Sequence, residues 1–486
     1  MIELNDVSFA YQNAAKEGGL LGVSLRVRRG ECVLMCGESG CGKTTLARVV
    51  NGLIPHFYDG DLRGEILVGG KSVSGLQLHD MAGLTGTVFQ NPRSQFFNVD
   101  TTGEIAFGPE NLGLPEKEIL ARIDIAAREM NVEHLLGRSI FKLSGGQKQK
   151  IACASVAALH PEIYVLDEPS SNLDMASVAD LRRHIALWKS QGKTIVIAEH
   201  RLHYLRGLCD RAVYLRGGKI KGEYTWREFE SIPAEERSAM GLRALSLDEL
   251  RETRSPASNQ GRGTLELSNF IYAYKRGHKT MDIPALTLPK GGVIAVIGLN
   301  GAGKSTFARC LCGLNKRFHG TLALNGRTLG NAARRKKCFM VMQDVNHQLF
   351  TESVLDEILL GMQRENDAAA ENILDSLHLL DIKESHPMSL SGGEKQRVAI
   401  ATAIASEREI IVFDEPTSGL DLTHMRLVAE NIRRLGGMGK TVFVITHDPE
   451  LILSCCTHAV TLKDGAASSA LPLDENGRRE MLSFFI

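Results

Sequence analysis

GESGCGKTT (Gly37 to Thr45) and GLNGAGKST (Gly298 to Thr306) are the two stretches that decide how this 486-residue chain folds. Both fit G-x-x-x-x-G-K-[ST]. Each follows a short apolar run, Cys32 to Cys36 in one case and Val293 to Ile297 in the other. A buried strand that ends in glycines and restarts as a helix lets backbone N–H groups wrap an anion, and the helix N-terminus favours negative charge there. Gly37, Gly40, Gly42 and Gly298, Gly301, Gly303 therefore mark a phosphate cradle. Lys43 and Lys304 can reach the β- and γ-phosphates of a nucleotide. Thr44 and Ser305 can ligate Mg²⁺, and Thr45 and Thr306, next in the helix, are counted with them as nucleotide-binding residues.

Outward from these loops the chain repeats itself. IELNDVSFAY (Ile2 to Tyr11) returns as LELSNFIYAY (Leu265 to Tyr274), LSGGQKQK (Leu143 to Lys150) as LSGGEKQR (Leu390 to Arg397), and VLDEP (Val165 to Pro169) as VFDEP (Val412 to Pro416). Ser144 and Ser391, Asp167 and Asp414, Asp174 and Asp421, and His200 and His447 are all 247 positions apart, whereas Tyr11 and Tyr274 are 263 apart. The first half thus carries 16 extra residues, all before its LSGGQ. A repeat of domain size excludes a solenoid and means a duplicated domain. The expected boundaries are 1–230 for the first domain, 231–262 for a short helical extension and a flexible linker (TRSPASNQGRG, Thr253 to Gly263), and 263–486 for the second domain. Apolar runs such as IYVLD, TIVIA, IIVFD and TVFVIT alternate with helical stretches, which predicts a doubly wound α/β core with a mostly parallel sheet.

Asp167 and Asp414 end apolar strands, where a carboxylate can hold Mg²⁺. Glu168 and Glu415 follow directly and could polarise an attacking water as general bases. The serine and paired glycines of LSGGQ and LSGGE (Ser144, Gly145, Gly146; Ser391, Gly392, Gly393) expose N–H groups at a helix start, a second anion site. In both halves this motif lies 23 residues before the acidic pair, and a histidine, His200 or His447, lies 33 residues after it.

These residues, in this order, resemble an ATP-binding cassette (ABC) ATPase twice over, across nearly the whole chain. The resemblance implies two tandem P-loop NTPase domains, each with a helical subdomain and an N-terminal antiparallel β part. It implies ATP and Mg²⁺ as cofactors. Tyr11 and Tyr274 would stack on adenine. Gln90 and Gln343 would touch Mg²⁺ and sense a partner. Asp174 and Asp421 would lie at the interface of a head-to-tail ATP sandwich made by the chain's own two halves, in which each LSGGQ-type motif completes the opposite site. His200 and His447 would contact the γ-phosphate. Departures are mild: Glu394 replaces the signature Gln, the first aspartate loop reads SSNLD, and Arg201 follows His200 where Asp448 follows His447. Two competent sites are expected.

After the two glutamines the sequence reads FQNPRSQFFNVDTTGEIAFGPENLGLP and MQDVNHQLFTESVLDEILLG. That pattern is similar to ATPases of energy-coupling factor (ECF) transporters, which import vitamins and metal ions. It implies a scaffold and a substrate-binding membrane subunit docking in grooves near Phe96, Phe97, Leu349 and Phe350, and a peripheral place on the cytoplasmic face of the cell membrane. The alternatives are another tandem-cassette importer ATPase or a soluble ABC-F-like translation factor, though the latter would be expected to carry a long charged helical linker.

Composition supports this picture. The chain holds 57 Lys+Arg and 57 Asp+Glu, a balance that argues against a nucleic-acid binder. Its start has no basic and apolar leader, and no run of about 18 apolar residues occurs, so membrane contact is expected through partners. Ten cysteines without a C-x-x-C pair read as reduced, buried thiols rather than a metal site. Ile283 to Gln343 holds ten Lys/Arg and no acid, which reads as solvated surface plus a phosphate site.

Overall fold

The computed structural model describes every residue except 13–18, 172, 253–262, 275–279, 316 and 486. The expected flexible linker falls almost wholly in 253–262 and so outside the described residues. The chain divides into two compact units, Met1–Ser246 and Leu247–Ile486.

In the first unit, the alternation along Ile2–Tyr11, shifted by one residue at a bulge near Asp6, places Ile2, Leu4, Val7 and Phe9 on one buried face. That strand pairs antiparallel with Leu20–Val27 and with Gly60–Val68. The result is a four-stranded sheet with the short strand Lys71–Ser72 at its edge. The second sheet is built from runs with no polar face. Cys32–Cys36, Ile163–Asp167 and Thr194–Ala198 are buried at every position, as a parallel sheet covered on both sides requires. Thr85–Val88, Ile163–Asp167, Thr194–Ala198, Cys32–Cys36 and Arg211–Arg216 lie side by side in parallel. Lys219–Thr225 closes the edge as an antiparallel hairpin. Helices pack across the faces, and Trp188 from Met175–Ser190 stacks on Tyr164 with centroids 4.1 Å apart.

The second unit repeats the plan. Thr264–Tyr272 pairs with Met281–Pro289 and His319–Leu324. Cys338–Val341, Ile410–Asp414, Thr441–Ile445, Val293–Ile297 and His458–Lys463 form the parallel core in the same spatial order. In both units the nucleotide-loop strand is internal to the sheet, so its C-terminal end opens beside the ends of two neighbours, where ligands bind in open α/β sheets.

The stretch after the first cassette folds back on the first unit. Trp226–Ser231 and Ala234–Ala239 are short helices, and Trp226, Phe229, Leu242 and Leu245 join that unit's core. Tyr214 donates its hydroxyl to the carbonyl of Met240 at 3.1 Å. All ten cysteines are buried. Among the described residues no helix is long and apolar enough to cross a membrane.

Candidate functional site

Each phosphate cradle begins at a glycine that no other residue can replace. Gly37 has φ 147° and Gly298 has φ 156°, and a Cβ at either would sit 2.2 or 2.4 Å from the carbonyl oxygen of Leu215 or Leu462. Gly40 and Gly301 have open space where a side chain would project. Helices Lys43–Val50 and Lys304–Leu311 then start at Gly42 and Gly303 with no side-chain cap. Their first N–H groups, lacking an intrahelical acceptor, are the donors that an anion can take up.

The lysines hold the loops in shape. Lys43 Nζ donates to the carbonyls of Gly37 (3.0 Å) and Glu38 (2.9 Å). Lys304 Nζ donates to the carbonyls of Gly298 (2.7 Å) and Leu299 (3.2 Å) and also lies 2.9 Å from His447 Nε2. Thr44 donates to Asp167 at 3.2 Å, and Ser305 is hydrogen-bonded to Asp414. Thus the hydroxyl and the strand-end carboxylate expected to share a cation meet in both units. Burial, reinforced by the adjacent Glu168 charge, pushes the Asp167 carboxyl up to about 6. Burial likewise raises Asp414, against the Ser305 hydrogen bond and the Lys304 charge. An ion-sized positive charge would relieve both.

Glu168 and Glu415 adopt left-handed backbone, with φ 44° and 52°. Their N–H groups donate to Ala198 and Ile445 at 2.8 Å, tying the strand ends together. This turn aims each carboxylate at a histidine: His200 Nε2 is 3.4 Å from Glu168, and His447 Nε2 is 3.4 Å from Glu415. Gln90 Nε2 donates to Glu168 at 2.7 Å. Gln343 follows the strand Cys338–Val341 at the matching exposed place.

Tyr11 and Tyr274 place their hydroxyls 3.1 Å from Thr45 and Thr306, beside the cradle helices. Tyr274 is 52% exposed while Tyr272 is 8% exposed, so Tyr274 is the free ring of that pair. Arg48 donates to the Tyr11 hydroxyl at 2.8 Å and lies over the Tyr58 ring. Neither neighbour was legible from the motif.

Ser144 and Ser391 cap the helices Gly145–Ala158 and Gly392–Ala405 through reciprocal capping boxes with Gln147 and Glu394. Glu394 thus replaces glutamine without losing the cap. A Cβ on Gly146 would meet Ser177 Oγ at 2.1 Å, whereas Gly145 and Gly392 are helical and Gly393 has ordinary clearance. Asp174 and Asp421 cap the following helices by accepting from the N–H of Ser177 and His424.

The proposed docking residues divide. Phe97 and Phe350 are 73% and 77% exposed. Leu349 is buried at 5% exposure, and Phe96 packs against the first unit's core. Leu349 is therefore removed from the docking surface, and Phe96 turns only part of its ring to it. The reason is a shared scaffold. The carboxylates of Glu104 and Glu357, both buried, accept from the backbone N–H groups of Phe97 and Asn98, and of Phe350 and Thr351. That turn points one apolar side chain in and the next out. In the first unit, Phe97 stacks on Phe107 at 4.9 Å and lines a groove of about 480 Å³ with Leu78, Phe89, Phe107 and Leu112.

A glycine cradle on a strand–helix junction, a lysine at the first position of its helix, and a strand-end Asp-Glu pair facing a histidine define a P-loop nucleoside triphosphatase, present twice. The comparisons make this specific. Residues 20–171 and 282–418 match the family described as ABC transporter. A protein of Treponema denticola provisionally named an ABC transporter ATP-binding protein is 44% identical over 486 residues, covering 99% of both chains. A Bacillus subtilis protein provisionally named the HMP/thiamine import ATP-binding protein YkoD is 31% identical over 96% of this chain and 90% of its own. Among solved structures, a model of ribosome-bound archaeal Pelota and ABCE1 matches 99% of this chain and 80% of that one, with TM-score 0.72 and 21% identity; that likeness concerns the fold. The chain belongs to the ABC transporter family. It is a tandem-cassette ATP-binding protein and an ATPase.

Proposed function

We propose that this chain is the ATP-hydrolysing subunit of an energy-coupling factor type importer, attached to the cytoplasmic face of the membrane through scaffold and substrate-binding subunits and serving uptake of a small micronutrient. The observation that carries the reading is the pair of outward phenylalanines, Phe97 and Phe350, each held by a buried glutamate and each seven residues beyond Gln90 or Gln343. Burying one such ring contributes about 1.5–3 kcal/mol, so leaving both in water argues for a helix that covers them. The likeness to YkoD points the same way.

The residues fit Mg-ATP. Thr44 with Asp167, and Ser305 with Asp414, offer the hard oxygen set that Mg²⁺ takes, with Gln90 and Gln343 able to add an amide oxygen. When bound, Mg²⁺ neutralises charge on the β- and γ-phosphates. Tyr11 and Tyr274 offer rings to adenine. Lys43 and Lys304 give up backbone carbonyls for phosphate oxygens. Glu168 and Glu415 orient the attacking water and accept its proton, and His200 and His447 hold the γ-phosphate beside them. In the closed state the two units form a head-to-tail sandwich in which Ser144, Gly145, Gly146 and Asp174 complete one site and Ser391, Gly392, Gly393 and Asp421 the other. Because the γ-phosphate favours the closed state over the open one, its loss lets the units separate, and helices seated on Phe97 and Phe350 move with them.

Purification from the native host in mild detergent, followed by mass spectrometry, tests this. Co-purifying small multi-span membrane proteins, lost in F97D/F350D, are the expected result. Ribosomal proteins in their place would favour a translation factor and sink the transport reading.

A further inference from the structure

The two histidine loops are fastened by different acids. In the second unit, Asp448 follows His447. Its carboxylate accepts from the Thr417 hydroxyl at 3.0 Å and from the N–H groups of Glu450 and Leu451 at 3.1 and 3.3 Å. Its own N–H donates to Thr446 Oγ1 at 3.1 Å. In the first unit the residue after His200 is Arg201, which cannot accept. The acid stands one position before the histidine instead, as Glu199, where the second unit has Thr446.

Glu199 is 2% exposed, and four donors converge on it. Oε1 accepts from the Ser170 N–H at 3.2 Å and the Tyr204 hydroxyl at 2.9 Å. Oε2 accepts from the N–H groups of His200 at 2.7 Å and Arg201 at 3.2 Å. Burial and the Glu199 charge keep the Tyr204 phenol protonated far above its usual range, so it remains a donor. Ser170 and Thr417 occupy equivalent positions, 247 apart, two residues beyond the glutamates Glu168 and Glu415. A carboxylate therefore ties the histidine loop to the same point of the chain in both units, arriving from opposite sides of the histidine. Arg201, released from that task, reaches the carbonyls of Leu173 at 3.1 Å and Ser170 at 3.5 Å, the loop that leads to Asp174.

We propose that Glu199 is the positioning residue that sets His200 against Glu168 in the first unit, replacing Asp448 of the second, and that Arg201 extends the same clamp to Ser170 and Leu173. A buried carboxylate with four donors permits one arrangement of the segments it joins, because leaving any of those donors without an acceptor is unfavourable. The 3.4 Å separation of His200 from Glu168 is thereby fixed before nucleotide arrives. The first histidine loop is bound on two sides, by Glu199 and Arg201.

This inference rests on Glu168 and His200 acting in hydrolysis, and its test separates the two ideas. The full-length chain carrying E415Q isolates the first unit's turnover, read as kcat and KM for Mg-ATP. E168Q in that background should abolish turnover. E199T and E199Q should lower kcat about tenfold or more with KM within about twofold, since misplacing a reacting group penalises the chemical step. E199T/R201D, which installs the second unit's order, should recover most of the lost kcat. An E199T kcat equal to that of the parent, a loss confined to KM, or an E199T/R201D variant as slow as E199T would each overturn the inference while E168Q remains silent. Continued turnover in E168Q would instead remove the assignment of Glu168 itself.

Discussion

The side-chain amide of Gln90 donates to the carboxylate of Glu168 at 2.7 Å, across 78 positions of sequence. The nitrogen of that amide is thus committed to the proposed base, and its oxygen is the atom left for a cation. One side chain links the two functions that hydrolysis needs to coordinate.

Converting that amide to a carboxylate should show the link. In Q90E a second negative charge faces Glu168, which raises the Glu168 pKa. With E415Q silencing the other unit, the acidic limb of the pH–rate profile should move to higher pH. A profile superimposable on that of the parent would mean that Gln90 and Glu168 do not interact in the working enzyme.

Replacing both proposed bases is the direct test of catalysis. E168Q/E415Q should lose at least a hundredfold in turnover, the scale of general-base contributions, while still binding ATP. Equilibrium binding of a fluorescent nucleotide and steady-state phosphate release read the two separately. Ordinary turnover in the double variant would refute the assignment.

Stability of the first unit should fall in mild acid because of a buried histidine. Burial, with smaller contributions from Lys150 and Arg183, holds the His184 imidazole down at about 4. The unfolded chain therefore takes up a proton near pH 6.5 that the folded unit refuses until about 4, so stability is lost as pH falls through that window. The loss is about 2 kcal/mol at pH 5. The position 247 residues on is Asn431, also buried. H184N should reduce the acid sensitivity by about that amount, seen by denaturant unfolding at pH 7 and pH 5. An unchanged difference between the two pH values would count against it.

The extension beyond the first cassette reaches the phosphate loop. Gly241 has φ 73°, and a Cβ there would lie 2.5 Å from Glu38 Cγ, while the Glu38 carbonyl is one of the acceptors of Lys43. G241A should reduce stability by about 1–2 kcal/mol through the left-handed backbone alone and should also weaken Mg-ATP affinity severalfold by displacing Glu38. Calorimetric titration and thermal unfolding together check this; unaltered affinity would confine the extension to a packing role.

The sequence spelled out chemistry that is local. The Gly37 and Gly298 turns, the helix starts at Ser144 and Ser391, and the Asp167–Glu168 and Asp414–Glu415 strand ends each depend on a few adjacent residues, and the structure has a turn, a helix start and a strand end at those places. Orientation was harder. Phe96 with Phe97, and Leu349 with Phe350, look alike as apolar pairs. Which member faces water is set by hydrogen bonds from the chain at Phe97 and Phe350 to Glu104 and Glu357, seven residues further on. Glu199 was missed because its role emerges only when Ser170, His200 and Tyr204 are brought together by three separate segments. The 247-residue offset did hold a signal: an acid beside each histidine, on opposite sides.

The left-handed backbone of Glu168 and Glu415 has a consequence for how this protein could be improved. Glycine would be more comfortable than glutamate at either position. A library selected for heat tolerance alone would therefore be drawn towards glycine at the two residues proposed to activate water, enriching sturdier molecules that bind ATP and do nothing with it. Endurance and turnover pull against each other at these two residues, and any screen of variants has to score hydrolysis first.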